Sequence, residues 1–129
     1  MNKNNVPVIG ITMGDPAGIG PEIIVKALAE PEIRRRGRYV IYGFNELLAY
    51  AADMAEIDVY WWRDQHERIT RNYPQGVVVA DYDDINWLSS NVKEPSKAGG
   101  QASMRFVMDA LEDAKSGRID AIVTAPICK

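Results

Sequence analysis

The segment from Ile9 to Glu22, IGITMGDPAGIGPE, concentrates the residues of this sequence that could hold a ligand. A β-branched apolar run enters it, Gly14, Gly18 and Gly20 crowd its turn, and Pro21-Glu22 leads out. Glycines accept positive φ and let a ligand come close to the backbone. Proline suits a first helical position, and glutamate suits the positive first turn. The turn should therefore feed a helix whose free N–H groups and partial positive charge favour an anionic phosphate. The chemistry on offer is phosphate capture by backbone, with Gly14, Asp15, Gly18 and Gly20 as the cofactor-binding candidates. The spacing, Gly14-x-x-x-Gly18-x-Gly20, matches neither the Gly-x-Gly-x-x-Gly dinucleotide fingerprint nor the P-loop, which needs a lysine after its glycines. A tight turn whose glycines serve packing alone is the competing reading. The Asp15 carboxylate could bond backbone N–H groups and hold the loop, or contact a cofactor directly. Glu22 reads as serving the helix dipole rather than proton transfer.

Thr124 and Lys129 stand at and beyond the end of a β-like run, where α/β folds place ligand groups. Both are substrate-binding candidates, although Lys129 could equally pair with a carboxylate. The single histidine, His66, lies between Gln65 and Glu67 and reads as a surface residue. The single cysteine, Cys128, is far from it in sequence. A zinc or cobalt site needs at least about three converging protein ligands, so no metal site is expected. No catalytic residue can be assigned. Asp81, Asp83 and Asp84 read as a solvated acidic loop, Arg34 to Arg36 as a solvated helix end, and Trp61, Trp62 and Trp87 as core or lobe-packing residues.

The elements that must position these groups alternate along the chain. Val6–Met13, Tyr39–Gly43, Val59–Trp62, Val77–Ala80 and Ala121–Thr124 read as strands. A helix should follow Pro21, with Ile23, Ile24, Ala27 and Leu28 on its apolar face. A second should be capped by Asn45 and carry Leu48, Ala51, Ala52 and Ala55. A third should span Gln101–Lys115, with Phe106, Val107, Ala110, Leu111 and Ala114 on one side and Gly117 as the stop. Arg63–Pro74 has no clear assignment, and Asp81–Gly100 reads as a long loop. Strand and helix in alternation argue for an α/β fold with a largely parallel sheet. The final strand sets up an expectation of incompleteness. A parallel strand is normally followed by a helix that covers the sheet, and without one a sheet face stays bare.

Composition places these elements in a single soluble globular domain: 129 residues, 47% apolar and 26% charged. The net charge of −3 and the lack of a basic cluster argue against a nucleic-acid partner. No stretch approaches the roughly 18 consecutive apolar residues of a membrane span, and Met1–Asn5 is polar without a signal core. A lone cysteine is consistent with a reducing, cytoplasmic setting.

GITMGDPAGIGPE resembles the N-terminal signature of the 4-hydroxythreonine-4-phosphate dehydrogenase family. Its Gly-Ile-Gly-Pro-Glu core is also similar to the opening loop of isocitrate and isopropylmalate dehydrogenases. The segment Gly99–Lys129, ending DAIVTAPICK, resembles a later family segment with a Thr-Ala/Gly-Pro-Ile-Asn-Lys-like motif; Cys128 departs from it. The resemblance covers the whole chain but only the N-terminal part of a family member. It implies a three-layer α/β/α, isocitrate/isopropylmalate dehydrogenase-like fold, two lobes around a cleft, and a homodimer. It further implies oxidation of a phosphorylated hydroxy acid by NAD, without distinguishing NAD from NADP, followed by decarboxylation. A divalent metal (zinc, magnesium or cobalt) would assist, held by histidines that lie beyond position 129 in the family's order. The implied substrate is 4-hydroxythreonine 4-phosphate, in pyridoxal phosphate biosynthesis. A four-carbon sugar-acid phosphate or the cis-dihydrodiol of terephthalate is the alternative. A catalytically incompetent fragment is the remaining one.

Overall fold

The computed structural model describes residues 6–71, 73, 76–83 and 97–125. Five strands form one parallel sheet: β1 Val8–Thr12, β2 Arg38–Tyr42, β3 Trp62–Gln65, β4 Val77–Asp81 and β5 Ala121–Thr124. Their order across the sheet is β3-β4-β2-β1-β5. The helices are α1 Gly20–Leu28, α2 Pro31–Arg34, α3 Asn45–Met54 and α4 Lys97–Lys115, with a 3-10 turn at His66–Arg68. The α/β class and parallel sheet expected from the alternating pattern are the ones found.

Tyr39 and Tyr42 are an odd number of residues apart on β2, so they point to opposite faces. The Tyr42 hydroxyl donates to Asp113 of α4 at 2.6 Å, and the Tyr39 hydroxyl to the Ile33 carbonyl of α2 at 2.7 Å. The sheet is thus sandwiched, with α4 on one face and α2 on the other, where α1 and α3 pack together. Burial from both sides explains the unbroken apolar runs of β2 and β4, in which Tyr39–Tyr42 and Val77–Ala80 are all buried. β5 lies at an edge. Its Val123, in register with Ile11 on the α1 side of the sheet, is 52% exposed.

Several boundaries differ from the sequence reading. The third strand runs from Trp62 to Gln65 rather than Val59 to Trp62, and Val59 and Trp62 are exposed while Trp61 is buried. An edge strand pairs on one side only, so register with β4, Trp62 against Val78, outweighs the apolar run before it. Pro31 opens the short helix α2, for which the sequence reading had no element. α4 begins at Lys97, so Gly99 and Gly100 lie in its first turn rather than in a loop. On α4 the buried face comprises Ala102, Ser103, Phe106, Ala110 and Asp113, whereas Leu111 is 43% exposed. Trp87 lies outside the described residues.

One tie between distant segments makes a testable contribution. Asp120, just before β5, accepts the backbone N–H of Val8 at 2.8 Å and two bonds from the Arg71 guanidinium, at 2.8 and 3.1 Å. Those bonds, Arg71 first and Val8 second, hold its carboxyl below the ordinary value of 3.8. A depressed folded value means the stabilisation is present above the carboxylate range and fades as pH falls through it. The site is half open to solvent, which keeps the effect small. Asp120→Asn should therefore flatten the loss of thermal stability between about pH 4 and about pH 2. An acid limb as steep as that of the parent would count against this account.

Candidate functional site

β1 is the central strand of a topological reversal: β2 lies on one side of it and β5 on the other. In open α/β sheets ligands bind beyond the carboxyl ends of the strands at such a point. The loop after β1 is the glycine segment singled out in the sequence. Gly14 takes a φ of +82°, a conformation natural to glycine. A turn follows, closed by the Gly18 N–H on the Asp15 carbonyl at 2.8 Å, and Gly20 starts α1 with Pro21 behind it. The Met13 N–H donates to Tyr42 and the Ala125 N–H to Thr12, so the loop is anchored to β2 and to the end of β5. Thr124 is the exposed register partner of Thr12. Its neighbour Ala125 packs at Gly20, where an added Cβ would lie 3.2 Å from the Ala125 Cβ. The structure therefore gathers Gly14, Gly18, Gly20 and Thr124 at one edge of the sheet. Lys129 and Cys128 lie outside the described residues.

Asp15 points inward. It is 3% exposed, and its Oδ1 accepts the Ala17 N–H at 2.8 Å. Both carboxylate oxygens lie against Gly99 in the first turn of α4. A second carboxylate behaves alike. Asp81, at the end of β4, accepts the Asn45 N–H at 2.9 Å through Oδ1 and pairs with Arg63 through Oδ2. The N-termini of α3 and α4 thus each face a carboxylate from another element, while no side chain caps α1. Among the described residues no carboxylate from another element meets the start of α1, so its positive end can take an outside anion. Glu22 in its first turn is exposed and paired with Lys26 at 2.8 Å, as a dipole-serving residue would be. Beside the loop, a groove of about 480 Å³ runs between α1 and α3, with Ile19, Tyr50 and Met54 on its walls.

These positions correct parts of the sequence reading. Asn45 does not cap α3: it is the first helical residue, and its side chain accepts the Trp61 indole N–H at 2.8 Å. Asp81 is not a solvated loop residue but that helix's cap. His66 is not on the surface. Its side chain is 9% exposed and stacks on Tyr82 at 4.1 Å, with Nε2 facing the Arg105 guanidinium at 3.1 Å and Nδ1 facing the Asp81 carbonyl. The Tyr82 hydroxyl donates to Asp109, and burial in the first place pushes its titration far upward. Among the described residues no group of three His, Cys, Asp or Glu could hold a metal. Asp84 lies outside them. Gly99 was missed as a site residue. The sequence carries no signal for it, because the helix start at Lys97, and with it the approach of Asp15 to Gly99, is set only in the fold.

Comparison with known proteins now supplies the family. A family described as pyridoxal phosphate biosynthetic protein PdxA matches residues 35–129. A 4-hydroxythreonine-4-phosphate dehydrogenase of Aquifex aeolicus is 37% identical over 129 residues, which is 100% of this chain and 37% of that protein, so the glycine loop is included. A protein of Oceanobacillus iheyensis, provisionally named D-threonate 4-phosphate dehydrogenase, is 34% identical over 95% of this chain and 37% of its own. Among solved structures, a 4-hydroxythreonine-4-phosphate dehydrogenase from Burkholderia phymatum superposes with a TM-score of 0.78 at 34% identity. It covers 98% of this chain and 38% of that one. A terephthalate 1,2-cis-dihydrodiol dehydrogenase from Burkholderia xenovorans gives 0.61 at 25% identity, over 92% and 33%. The chain spans well under half the length of these relatives. No helix among the described residues is long and apolar enough to cross a membrane. With most of its length matched by the family and its fold shared with solved members, the chain belongs to the PdxA family of dehydrogenases.

Proposed function

We propose that this chain contributes the cofactor-loop portion of an NAD-dependent dehydrogenase that oxidises 4-hydroxythreonine 4-phosphate. The observation that carries the reading is the uncapped N-terminus of α1, presented by the glycine loop at the reversal point of the sheet. Gly14 supplies the positive φ and Gly20 the close packing on Met13 that shape the turn, half-buried Gly18 leaves backbone open to a pyrophosphate, and the positive end of α1 favours its charge. Bound NAD would supply the hydride acceptor for the alcohol carbon. Thr124, exposed at the end of the neighbouring strand, offers a hydroxyl to the substrate side, and Lys129, five residues on, is the second substrate-binding candidate. Asp15 serves the loop from within rather than from the ligand side. The described residues do not fit a divalent metal, so a metal-assisted step would draw its ligands from elsewhere in a full-length homodimer. A D-threonate phosphate is the second reading for the substrate, favoured by the similarly matched Oceanobacillus relative.

The direct test is a titration of the 129-residue chain with NAD, NADP and ATP, followed amide by amide by NMR. NAD is expected to shift the Gly14, Gly18 and Gly20 amides, with no reduction of NAD when 4-hydroxythreonine 4-phosphate is added. Shifts confined to other residues, or an equal response to ATP, would defeat the dinucleotide reading. Turnover by the isolated chain would defeat the assignment of the remaining chemistry to other parts of the protein.

A further inference from the structure

We propose that Asp15 is a positioning residue that fixes the glycine loop and α4 to one another as a single unit. The loop precedes α1, on one side of the sheet, whereas α4 covers the other side, so a link between them crosses the end of β1. Three observations meet at this carboxylate. Asp15 is 3% exposed, and its Oδ1 holds the Ala17 N–H at 2.8 Å while its own carbonyl holds the Gly18 N–H at 2.8 Å. The loop is thus wound about this residue. A Cβ built at Gly99 would fall 2.7 Å from Oδ1 and 3.2 Å from both Cγ and Oδ2, so the carboxylate occupies the space a side chain would take on α4. Finally, α4 opens on a lysine and has no acidic residue in its first turn. Among the described residues Asp15, from another element, is the carboxylate placed against its N–H dipoles.

The consequence is mechanical as well as electrostatic. α4 carries Phe106, Ala110 and Asp113 into the core, so its position is set by the sheet, and Asp15 passes that position to the loop. The loop that faces the ligand is then held in shape from behind. Through the same contact, a ligand drawn to the loop would tighten the first turn of α4. This last statement rests on the proposed cofactor reading; the clamp itself does not.

The experiment uses three single substitutions and one pair. Asp15→Asn keeps the shape and the acceptor for Ala17 but removes the charge. Gly99→Ala adds one methyl group to α4 without touching the loop. Gly100→Ala, where a Cβ meets nothing within 4 Å, is the control. Hydrogen exchange by NMR should show the Ala17 and Gly18 amides opening about ten-fold faster in Gly99→Ala, and the first-turn amides of α4 about five-fold faster in Asp15→Asn. The double variant should be clearly less than additive, because both changes break one contact. Gly100→Ala should leave the loop unchanged. Loop exchange in Gly99→Ala equal to that of the control, or fully additive effects in the pair, would overturn the clamp. In a final arm, NAD should slow exchange in the first turn of α4 in the parent but not in Asp15→Asn. Failure of NAD to bind at all sinks the cofactor reading and leaves the exchange results standing.

Discussion

Gly20→Ala is expected to cost about 3 kcal/mol of folding stability, at the upper end of overpacking penalties, and to displace the glycine loop. A Cβ at this position would lie 2.0 Å from the Met13 carbonyl oxygen and 3.2 Å from its carbon. Both are backbone atoms, so no flexible side-chain end can give way. Met13 cannot move easily either: it is fully buried, and its N–H is bonded to the Tyr42 carbonyl of β2 at 2.9 Å. The clash must be relieved by shifting the start of α1, which is the feature the proposed ligand site depends on. Gly10→Ala is the informative contrast. Its closest contacts are the ends of side chains, Ile119 Cδ1 at 2.6 Å and Tyr42 Cε2 at 3.1 Å, so repacking should limit its cost to about 1 kcal/mol. Urea denaturation of the two variants and the parent decides the matter. A Gly20→Ala midpoint within error of the parent would show that β1 and α1 do not approach as closely as described.

That contrast marks what could be read from the residues and what could not. The glycine spacing announced a strand-to-helix turn, and the turn is there, but nothing in one sequence says which glycine is sterically obligatory. Gly20 owes its constraint to the carbonyl of Met13, a contact made only once the loop has closed. The same holds for Asp15. Its residue type pointed both to loop support and to ligand contact, and the choice of an inward rotamer depends on α4, more than eighty residues later in the chain. The parallel sheet was legible because alternating strand and helix signals leave few other ways to bury the unbroken apolar runs of β2 and β4.

The misreadings also share a cause. The sequence signals for β3, Asn45, Asp81 and His66 lie in their neighbours along the chain, whereas a partner from another element decides each one. β3 slid along to match β4. Asn45 lost the capping role to Asp81, which reaches α3 from the end of β4. His66, in a polar stretch, was drawn under Arg105 and against Tyr82, where the imidazole ring lies within 8° of parallel to the phenol. Polar surroundings in sequence predict exposure only when no aromatic face is available in space.

Phe106 is the largest side chain that α4 buries on the sheet, and Phe106→Ala should cost about 3 to 5 kcal/mol. Phe106 is fully buried, meets Phe44 edge-on at a centroid distance of 5.3 Å, and tilts against Tyr82 at 5.1 Å. Truncation would remove both aromatic contacts and leave a cavity between α4 and the ends of β2 and β4, where Phe44 and Tyr82 stand. Little can collapse to fill it, because Tyr42 beneath is tied to Asp113 and Tyr82 to Asp109, both on α4. Leu111→Ala, on the exposed side of the same helix, should cost under about 1 kcal/mol. Comparing the two by calorimetry separates packing on the sheet from helix propensity, since both replace a large apolar residue with alanine. The Phe106 variant carries a further consequence that the Leu111 variant lacks. If α4 loosens, the contact between Gly99 and Asp15 loosens with it, so the Ala17 amide should exchange faster although Phe106 lies in the middle of a helix covering the opposite face. A Phe106→Ala chain that loses stability while Ala17 keeps its parent protection, relative to global unfolding, would mean that the loop holds its shape without α4.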